Sequence, residues 1–415
     1  MGRVSVRSLK EGMVLEAPLR TPEGRVILGA GVALTDKHIR MFKIWGVTDA
    51  EVEGFEDESL RAEEALKSEQ LARAAALVAR WAPPPGEDPF LREVTRIATE
   101  EMATRLLKEG NVPAPWVPQR PEKAPPLPEE RGAELGAGGM RELVRHQVRL
   151  VSFPAVYFKL REIIDSPVSS ATHIAEVVGK DPGLTVRLLR LVNSSFYGFP
   201  TRIDSIPRAV AIIGTNQLTA LALAVSAVKV FNGVPAKFVD MESFWEHSVA
   251  CGVLARVIAF ALRLPHEERF FVAGLLHDIG RLILFHKVPW LLTGAMEQAL
   301  WQERPLFEVE TQILGFHHAA LGERLMAEWN IPEPIRALVG AHHSPSEGEN
   351  PGEAAVVHLA DLLTGVLRWG TSGSVHVPEA DRGALEVLGL APEALESVVA
   401  QARRQVAEIR RAFLL

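Results

Sequence analysis

A histidine and an aspartate stand next to each other in an apolar stretch of this 415-residue chain. His277 and Asp278 occupy positions where the helical pattern of residues 274–282 would otherwise place aliphatic side chains. Both could be ordinary core residues bonded to nearby backbone groups, because buried polar atoms find hydrogen-bond partners in folded proteins. Alternatively, the imidazole and the carboxylate could be metal ligands, and the pair alone does not decide between the two.

The histidines of the chain are clustered, which favours the metal interpretation. Nine of the 13 fall between His247 and His358, where an even distribution would place about three or four. The ligand-capable residues that the pattern places on helices in this part of the chain are His247, His277, Asp278, His318, His342, His343 and Asp361. A mixed set of imidazoles and carboxylates suits iron, manganese or nickel ahead of zinc or magnesium. The sequence therefore predicts a site for one or two divalent metal ions.

A carboxylate such as Asp278 can bridge two metal ions, and such a pair supports a specific chemistry. Two ions about 3.5 to 4 Å apart can hold a phosphoryl group and lower the pKa of a bridging water, as in metal-assisted phosphoester hydrolysis. In a hydrolase of this kind, Asp278 and Arg281 are the candidate catalytic residues. His317 and His358 could orient the ligand imidazoles. The histidines that fall outside the pattern and are assigned no role are His173, His266, His286 and His376.

The composition sets limits on the class of protein. Of the residues, 47% are hydrophobic and 23% are charged, with a net charge of -7 and a pI near 6.0. This acidic balance argues against bulk nucleic-acid binding, and no uninterrupted apolar run reaches the roughly 18 residues of a membrane span. The N-terminus lacks the apolar core of a secretory signal, and the single cysteine, Cys251, fits a reducing cytoplasm. We expect a cytoplasmic protein without a membrane segment.

The elements that must position the predicted ligands belong to a chain of four parts. A small β-rich module with one helix comes first, and a helical spacer with a Pro/Gly-rich linker from Val112 to Gly139 comes second. An almost wholly helical main domain follows, and C-terminal helices complete or extend its bundle. The four parts are residues 1–55, 56–139, 140–345 and 346–415. The predicted fold class is mainly α, an all-α bundle preceded by the small β-rich domain and the linker.

Local signals place the central ligands on two long helices. The first is predicted from Glu242 to Arg263 and carries His247. The second is predicted from Glu268 to about Phe285 and carries the His277-Asp278 pair in its middle. These two helices must therefore pack against each other to bring the imidazoles of His247 and His277 together.

Two short helices joined by a tight turn are predicted between residues 168 and 192, the second one capped by Asp181. Such a pair is compatible with a helix-turn-helix and hence with DNA binding. The second helix offers only Arg187 and Arg190 as cations, and its leucines are needed for packing. Structural packing is therefore the preferred interpretation, and nucleic acid is not an expected partner.

Several separated phrases in a fixed order resemble the HDOD family, the HD-related output domain, over roughly residues 145–345. They include Ser152-Phe153-Pro154, Asp181-Pro182-Gly183-Leu184, Asn193 to Gly198, Ser205 to Val210, Gly274 to Gly280 and His318 to Gly322. The resemblance implies an HD-like all-α bundle with a regulatory role. In addition, the phrases around Gly12 and Gly24 resemble a module found ahead of HD-type output domains in bacterial signalling proteins.

The predicted ligands also resemble those of the HD superfamily of metal-dependent phosphohydrolases, whose minimum set would be His247, His277, Asp278 and Asp361 in this chain. The three further histidines resemble those of the HD-GYP branch, the cyclic di-GMP phosphodiesterases. Two features depart from that branch. No Gly-Tyr-Pro element follows the last histidine pair, and Arg281 stands where a lysine is expected. The permanently charged guanidinium is not equivalent to a lysine as a proton or phosphate handler.

Each predicted ligand also has a purely structural interpretation. His247 and His318 could be core histidines with satisfied hydrogen bonds. His342 and His343 could mark a helix C-terminus, which favours cations, and Asp361 could cap or pair locally. The seven residues occur in the same order as the ligands of a known family, and such an ordered set is not a series of independent coincidences. The metal interpretation is therefore preferred for the set as a whole.

The predicted function is that of a signal-transduction protein whose HDOD domain acts as a regulatory output or protein-interaction module and binds metal. The expected partner is a protein of a signalling pathway, with a nucleotide or cyclic dinucleotide as a further candidate ligand. The helical spacer is compatible with a homodimer. The alternative function is a metal-dependent phosphohydrolase that acts on a nucleotide or a cyclic dinucleotide.

Overall fold

The structure is a computed structural model that describes residues 2–6, 9–21, 24–53, 58–110, 120–126, 139–143, 159, 162, 171–195, 197–230 and 239–413. The Ser152-Phe153-Pro154 phrase and most of the predicted linker lie outside these residues. The chain separates into two compact units. One consists of Met1–Ala74 with Leu106–Lys108, and the other of Ala75–Arg105 with Glu109–Leu415.

The first unit contains the β-rich module. Its elements are β1 (Gly2–Ser5), β2 (Leu19–Arg20), β3 (Val26–Leu28), α1 (Asp36–Ile44) and β4 (Asp49–Val52). Strand β1 pairs antiparallel with β4, and β2 pairs antiparallel with β3. Thr35 caps α1 by accepting a hydrogen bond from the backbone N–H of His38, and Gly46 follows the helix with a φ of +70°. Thr35 and Gly46 therefore mark the two ends of α1.

The rest of the described chain is helical, which confirms the mainly-α prediction. The helices in chain order are α2 (Glu58–Val78), α3 (Pro89–Glu109), α4 (Ala171–Gly179), α5 (Pro182–Val192), α6 (Ile206–Ile213), α7 (Thr215–Val230), α8 (Met241–Ala261), α9 (Glu267–Leu276), α10 (Ile279–Lys287), α11 (Pro289–Gln302), α12 (Leu306–Leu314), α13 (His318–Glu328), α14 (Glu333–Gly340), α15 (Pro351–Leu367), α16 (Arg382–Leu388) and α17 (Ala394–Phe413), with a 3-10 turn at Pro345–Glu347.

Helix α8 is the centre of the helical unit, packed against α9, α15 and α17. Among the described residues it is the one helix long and apolar enough to cross a membrane by length and composition, and 78% of its most apolar window is buried inside the protein. Helix α5 is capped by Asp181 as predicted. Its side chains Leu184, Leu188 and Leu191 are buried, so these leucines pack in the core as the structural interpretation required.

The prediction of a single helix from Glu268 to about Phe285 is wrong. The chain forms α9 and α10 instead, and the break between them falls on His277 and Asp278. The backbone turns there because the two halves pack against different helices, α9 against α8 and α10 against α13. The turn places the imidazole and the carboxylate at the junction of four helices rather than on one helix face.

Two glycine contacts set the spacing of these four helices. A Cβ atom on Gly274 of α9 would lie 2.8 Å from the Cα atom of Gly252 on α8. A Cβ atom on Gly280 of α10 would overlap the carbonyl oxygen of His318 and lie 2.9 Å from the backbone nitrogen of Gly322 on α13. Only glycine permits such close backbone approach. The helices that carry the predicted ligands are therefore in direct backbone contact.

Substituting Gly280 by alanine should destabilise the fold and separate α10 from α13. The added methyl group has no space beside His318, and overpacking of this kind costs about 1 to 3 kcal/mol or more. Chemical denaturation measures the loss. Gly179→Ala is the matched control, because a Cβ atom at Gly179 has no neighbour within 4 Å. Equal unfolding free energies for the two variants would contradict the close-packing argument.

Candidate metal centre

The structure brings all seven predicted ligands together inside the helical unit. His247 comes from α8, the His277-Asp278 pair from the turn between α9 and α10, and His318 from the first residue of α13. The remaining three are His342 and His343, just after α14, and Asp361 of α15. Their donor atoms form three overlapping groups in which all atoms lie within 4.8 Å of one another: His247, His277 and Asp278; His277, His342 and Asp361; His318, His342 and His343.

One half of the cluster surrounds the Nε2 atoms of His247 and His277, which lie 3.3 Å apart. Oδ1 of Asp361 is 3.1 Å from Nε2 of His247 and 3.4 Å from Nε2 of His277. Oδ2 of Asp278 is 3.2 Å from Nε2 of His277. Two imidazoles and two carboxylates thus point at one small volume.

The other half of the cluster surrounds Nε2 of His318. This atom is 2.8 Å from Oδ1 of Asp278 and 3.1 Å from Nε2 of His343. The ring of His342 lies between the two halves, with its centroid 5.4 Å from that of His318 and 5.1 Å from that of His277. Asp278 therefore contacts both halves, one through each carboxylate oxygen.

Backbone carbonyls fix which ring nitrogens can bind a metal. Nδ1 of His277 lies 2.6 Å from the carbonyl oxygen of Gly274, and Nδ1 of His342 lies 2.7 Å from that of Val339. A carbonyl only accepts, so each Nδ1 must carry the proton and donate it. In the neutral ring, Nε2 then presents a lone pair to the cluster. Nε2 of His342 is buried and has no hydrogen-bond partner among the described residues.

The spacing of these donor atoms fits a shared cation. Two ligands on one ion with bonds of 2.0 to 2.2 Å lie about 3 to 3.5 Å apart, and most separations in the cluster fall in or near this range. Lone pairs that face each other at such distances repel unless a positive charge lies between them. The side chains present are therefore a donor set that could hold metal ions.

A buried carboxylate that the sequence interpretation missed supports the second half of the cluster. Glu310 of α12 is fully buried, and its Oε2 accepts hydrogen bonds from the backbone N–H of His318 at 2.9 Å and from its Nδ1 at 2.5 Å. Oε1 accepts from Nε of Arg281 at 3.3 Å. A carboxylate behind a ligand imidazole fixes its tautomer and raises its basicity.

A sequence signal for Glu310 existed. Leu306, Val309, Glu310 and Leu314 share the i, i+3, i+4, i+8 spacing of one helix face, and the other three members of that face are buried leucine or valine. A glutamate on an otherwise apolar face is the same kind of anomaly that singled out the His277-Asp278 pair.

The candidate catalytic residue Arg281 is almost fully buried and held by polar contacts. Its Nη1 donates to Oδ2 of Asp278 at 2.8 Å and to Oγ of Ser372 at 2.5 Å. Together with the contact to Glu310, these bonds place the guanidinium between two carboxylates. Arg281 therefore neutralises the carboxylates around the cluster and positions them.

The two histidines considered as supporting residues differ in their surroundings. Nδ1 of His358 donates to the carbonyl oxygen of His342 at 2.8 Å, and its Nε2 accepts from the backbone N–H of Asp381 at 3.0 Å. His358 therefore anchors the backbone of a predicted ligand. The His317 ring contacts the edge of Phe307, and burial together with the nearby charge of His318 lowers its pKa to about 4.

The carboxylates make two of the imidazoles strongly basic. Burial lowers the pKa of His277, but the charges of Asp278 and Asp361 outweigh burial and hold this pKa well above its ordinary value. At His318, burial again lowers the pKa, and the carboxylates of Glu310 and Asp278 raise it above the ordinary value. Each ring therefore holds its second proton to a higher pH in the metal-free protein than an ordinary histidine does.

Burial dominates at the other histidine pair. It lowers the pKa of His342 and of His343 well below the ordinary value, and the neighbouring imidazoles lower both further. These two rings are neutral at pH 7 in the metal-free protein. They need lose no proton before they bind a cation.

Metal uptake should release protons, so the apparent metal affinity should fall as the pH is lowered. The raised pKa values of His277 and His318 mean that an ion must expel their protons, and acid favours the protonated rings. Below the raised pKa of each ring we expect the affinity to decrease by about tenfold per pH unit for each proton released, and above that pKa we expect it to level off. Calorimetric titration with Mn²⁺ in buffers of different ionisation enthalpy counts the protons. A His286→Ala control should release the same number, and a buffer-independent binding enthalpy would contradict the expectation.

A small cavity of about 30 Å³ adjoins the cluster. The predicted ligands His247, His343 and Asp361 line it, together with Arg368 and His376. This volume holds about two water molecules and is far below the roughly 300 Å³ or more of a site for a small organic ligand. The sequence interpretation had assigned no role to His376.

The fold and the cluster define a class: a mainly helical domain whose bundle encloses an imidazole and carboxylate centre with the donors for metal. Residues 150–345 match the HDOD domain family, which confirms the predicted resemblance of this part of the chain to that family.

Three solved structures share the fold. An HDOD domain protein with unknown function from Geobacter sulfurreducens is 23% identical, with a TM-score of 0.53 over 67% of this chain and 99% of that one. A provisionally named phosphohydrolase from Shewanella amazonensis SB2B is 20% identical, with a TM-score of 0.52 over 65% of this chain and 98% of that one. A provisionally named signal-transduction protein from Marinobacter aquaeolei VT8 is 18% identical, with a TM-score of 0.51 over 68% of this chain and 69% of that one.

A curated relative is an uncharacterised protein of Treponema pallidum (strain Nichols), 27% identical over 202 residues. The aligned segment covers 47% of this chain and 38% of that protein. This chain therefore spans well under half the length of that relative.

Proposed function

We propose that the chain is a signal-transduction protein whose HDOD domain binds one or two transition-metal ions and acts as a regulatory module. The observation that carries the proposal is the convergence of the seven donors with Asp278 in contact with both halves. The name of the related Marinobacter structure as a signal-transduction protein agrees with this role. The mixed nitrogen and oxygen donors favour iron, manganese or nickel.

Each half of the cluster would hold one ion. His247, His277 and Asp361 with Oδ2 of Asp278 would hold the first, and His318, His342 and His343 with Oδ1 of Asp278 would hold the second. When bound, such a pair polarises phosphoryl oxygens and lowers the pKa of a coordinated water. The protein contributes orientation, since backbone carbonyls hold His277 and His342 and Glu310 holds His318.

The surroundings of the centre support regulation more than turnover. The adjoining cavity of about 30 Å³ does not admit a nucleoside, and Arg281 is already bonded to Asp278 and Glu310. A metal-loaded centre would hold the surrounding helices in one arrangement, because its ligands come from α8, α13 and α15 and from the turn between α9 and α10. We propose that a protein partner in a signalling pathway recognises that helical surface.

Elemental analysis of protein purified without chelator tests the metal proposal. We expect between one and two equivalents of transition metal per chain in the wild type, and the same in His286→Ala, which alters an exposed histidine outside the cluster. Less than one equivalent of any transition metal in both, after purification in iron-supplemented and manganese-supplemented medium, would remove the basis of the proposal.

A second candidate function is a metal-dependent phosphohydrolase, favoured by the donor set with one carboxylate shared between both halves. Incubation of the metal-loaded protein with bis(p-nitrophenyl) phosphate and with cyclic di-GMP separates the two candidates. Turnover that is absent from Asp278→Ala would establish the hydrolase. If the metal-loaded wild type hydrolyses these substrates no faster than Asp278→Ala, the hydrolase is excluded and the regulatory role is supported.

A further inference from the structure

Arg368, at the C-terminal end of α15, is a buried cation without an acidic partner. Arg368 is 5% exposed, and within the described part of the chain no carboxylate forms an ion pair with it. Nη2 donates to the carbonyl oxygen of Val375 at 2.7 Å, whereas Nε is buried with no hydrogen-bond partner among the described residues. Burial lowers the pKa of this guanidinium to about 9, so it remains charged at neutral pH.

The guanidinium is held in place by an aromatic ring. Arg368 lies 4.5 Å from the ring centroid of Trp81, whose indole N–H donates to the carbonyl oxygen of Val366 at 3.1 Å. The backbone N–H of Val377 donates in turn to the carbonyl oxygen of Trp81 at 2.8 Å. Stacking orients the guanidinium, but a neutral ring supplies no counter-charge. A buried ion without an opposite charge is strongly unfavourable.

His376 supplies a second unpartnered nitrogen to the same space. Its Nε2 is buried and has no hydrogen-bond partner in the described part of the chain, and Arg368 and His376 both line the cavity of about 30 Å³ beside the cluster. Burial lowers the pKa of His376, so the ring is neutral at pH 7 and can donate one hydrogen bond. A cation and a neutral donor, each with one nitrogen that lacks a hydrogen-bond partner among the described residues, therefore line the same small cavity.

We propose that Arg368 and His376 form a binding site for one tetrahedral oxyanion, namely phosphate or the phosphoryl end of a phosphate ester. The charge of Arg368 requires an anion, and the planar fork of a guanidinium matches two oxygens of a phosphoryl group. The volume, which holds about two waters, suits a single phosphoryl group. Neither residue is among the seven donors, so the site has a positive charge of its own, although Asp361 of the cluster also lines the cavity.

The test is a titration of the full chain with inorganic phosphate after the metal has been removed with chelator. Phosphate should raise the thermal midpoint of the wild type above that in sodium chloride of equal ionic strength, and calorimetry should give a dissociation constant. Arg368→Met should weaken phosphate binding by about tenfold or more, because it removes a charge-assisted hydrogen bond. His376→Gln should weaken it by a smaller factor.

Arg324→Gln is the matched control, since Arg324 is exposed and pairs with Glu328 on the surface of α13. This variant should bind phosphate like the wild type. If circular dichroism shows that Arg368→Met does not fold, Arg368→Lys and His376→Gln decide instead. The proposal is overturned if the wild type responds no more to phosphate than to chloride, or if the folded variants bind phosphate with wild-type affinity.

A parallel titration with AMP identifies the source of the anion. Binding of AMP that Arg368→Met weakens shows that the site accepts a phosphoryl group on an ester, whereas binding of inorganic phosphate alone shows a site for the free anion. Metal content is measured separately on untreated Arg368→Met, which should retain the wild-type amount. Loss of phosphate binding with full metal content is therefore distinguishable from a failure of the metal proposal.

Discussion

Substituting Asp278 by alanine should empty both halves of the metal centre at once. Asp278 is the one residue of the seven whose oxygens contact both halves, through Oδ2 at His277 and Oδ1 at His318. Loss of a supporting residue behind a ligand already weakens metal binding by about 10- to 100-fold, and loss of a shared ligand should exceed that. The measurement is metal content after purification, together with competitive titration against a chromogenic chelator.

Two further variants sharpen the Asp278 experiment. Asp278→Asn keeps the shape of the side chain but removes its charge, so a comparable loss of metal would show that charge, and not packing, is responsible. Asp204→Ala removes an exposed carboxylate outside the cluster and should leave the metal content unchanged. Retention of two ions by Asp278→Ala would refute the shared-ligand arrangement.

Substituting Glu310 by alanine should weaken metal binding and also destabilise the metal-free fold. The substitution leaves Nδ1 of His318 and Nε of Arg281 without their buried carboxylate, and breaking a buried ion pair costs about 3 to 5 kcal/mol. Metal affinity should fall by about 10- to 100-fold, because His318 loses its orienting partner. Urea denaturation of the metal-free protein and the chelator competition measure the two effects.

Glu308 is the matched control for Glu310, because it lies two residues away on α12 and pairs with Arg304 near the surface. Surface ion pairs contribute about 1 kcal/mol or less, so Glu308→Ala should change stability little and metal affinity not at all. If Glu308→Ala and Glu310→Ala had the same effects, the buried carboxylate would have no special role.

The seven predicted ligands were recognisable from the sequence because charged and imidazole side chains are rare within apolar helices. His277 and Asp278 interrupt a run that would otherwise be aliphatic, and the clustering of the histidines and the order of the set added the rest. Their roles as metal ligands remain predictions. The break between α9 and α10 was not predictable from periodicity, because it depends on which neighbours the two halves pack against.

Glu310, Arg368 and His376 show why the remaining site residues were missed. Glu310 had a periodicity signal, but its partner His318 lies on another helix. Arg368 is buried because Trp81, almost three hundred positions earlier in the chain, packs against it. No local sequence pattern indicates a contact between residues so far apart in the chain, so Arg368 could not be distinguished from an exposed arginine at a helix end.

The glycine contacts at Gly252, Gly274, Gly280 and Gly322 have a consequence for ion selectivity. Backbones in van der Waals contact cannot move closer, and helices tied by their core packing do not readily move apart, so the cage of donors has a nearly fixed diameter. Calcium needs oxygen ligands at 2.3 to 2.6 Å and a flexible shell of six to eight of them. A rigid, nitrogen-rich cage of this size should therefore discriminate by ionic radius and reject calcium even when calcium is abundant.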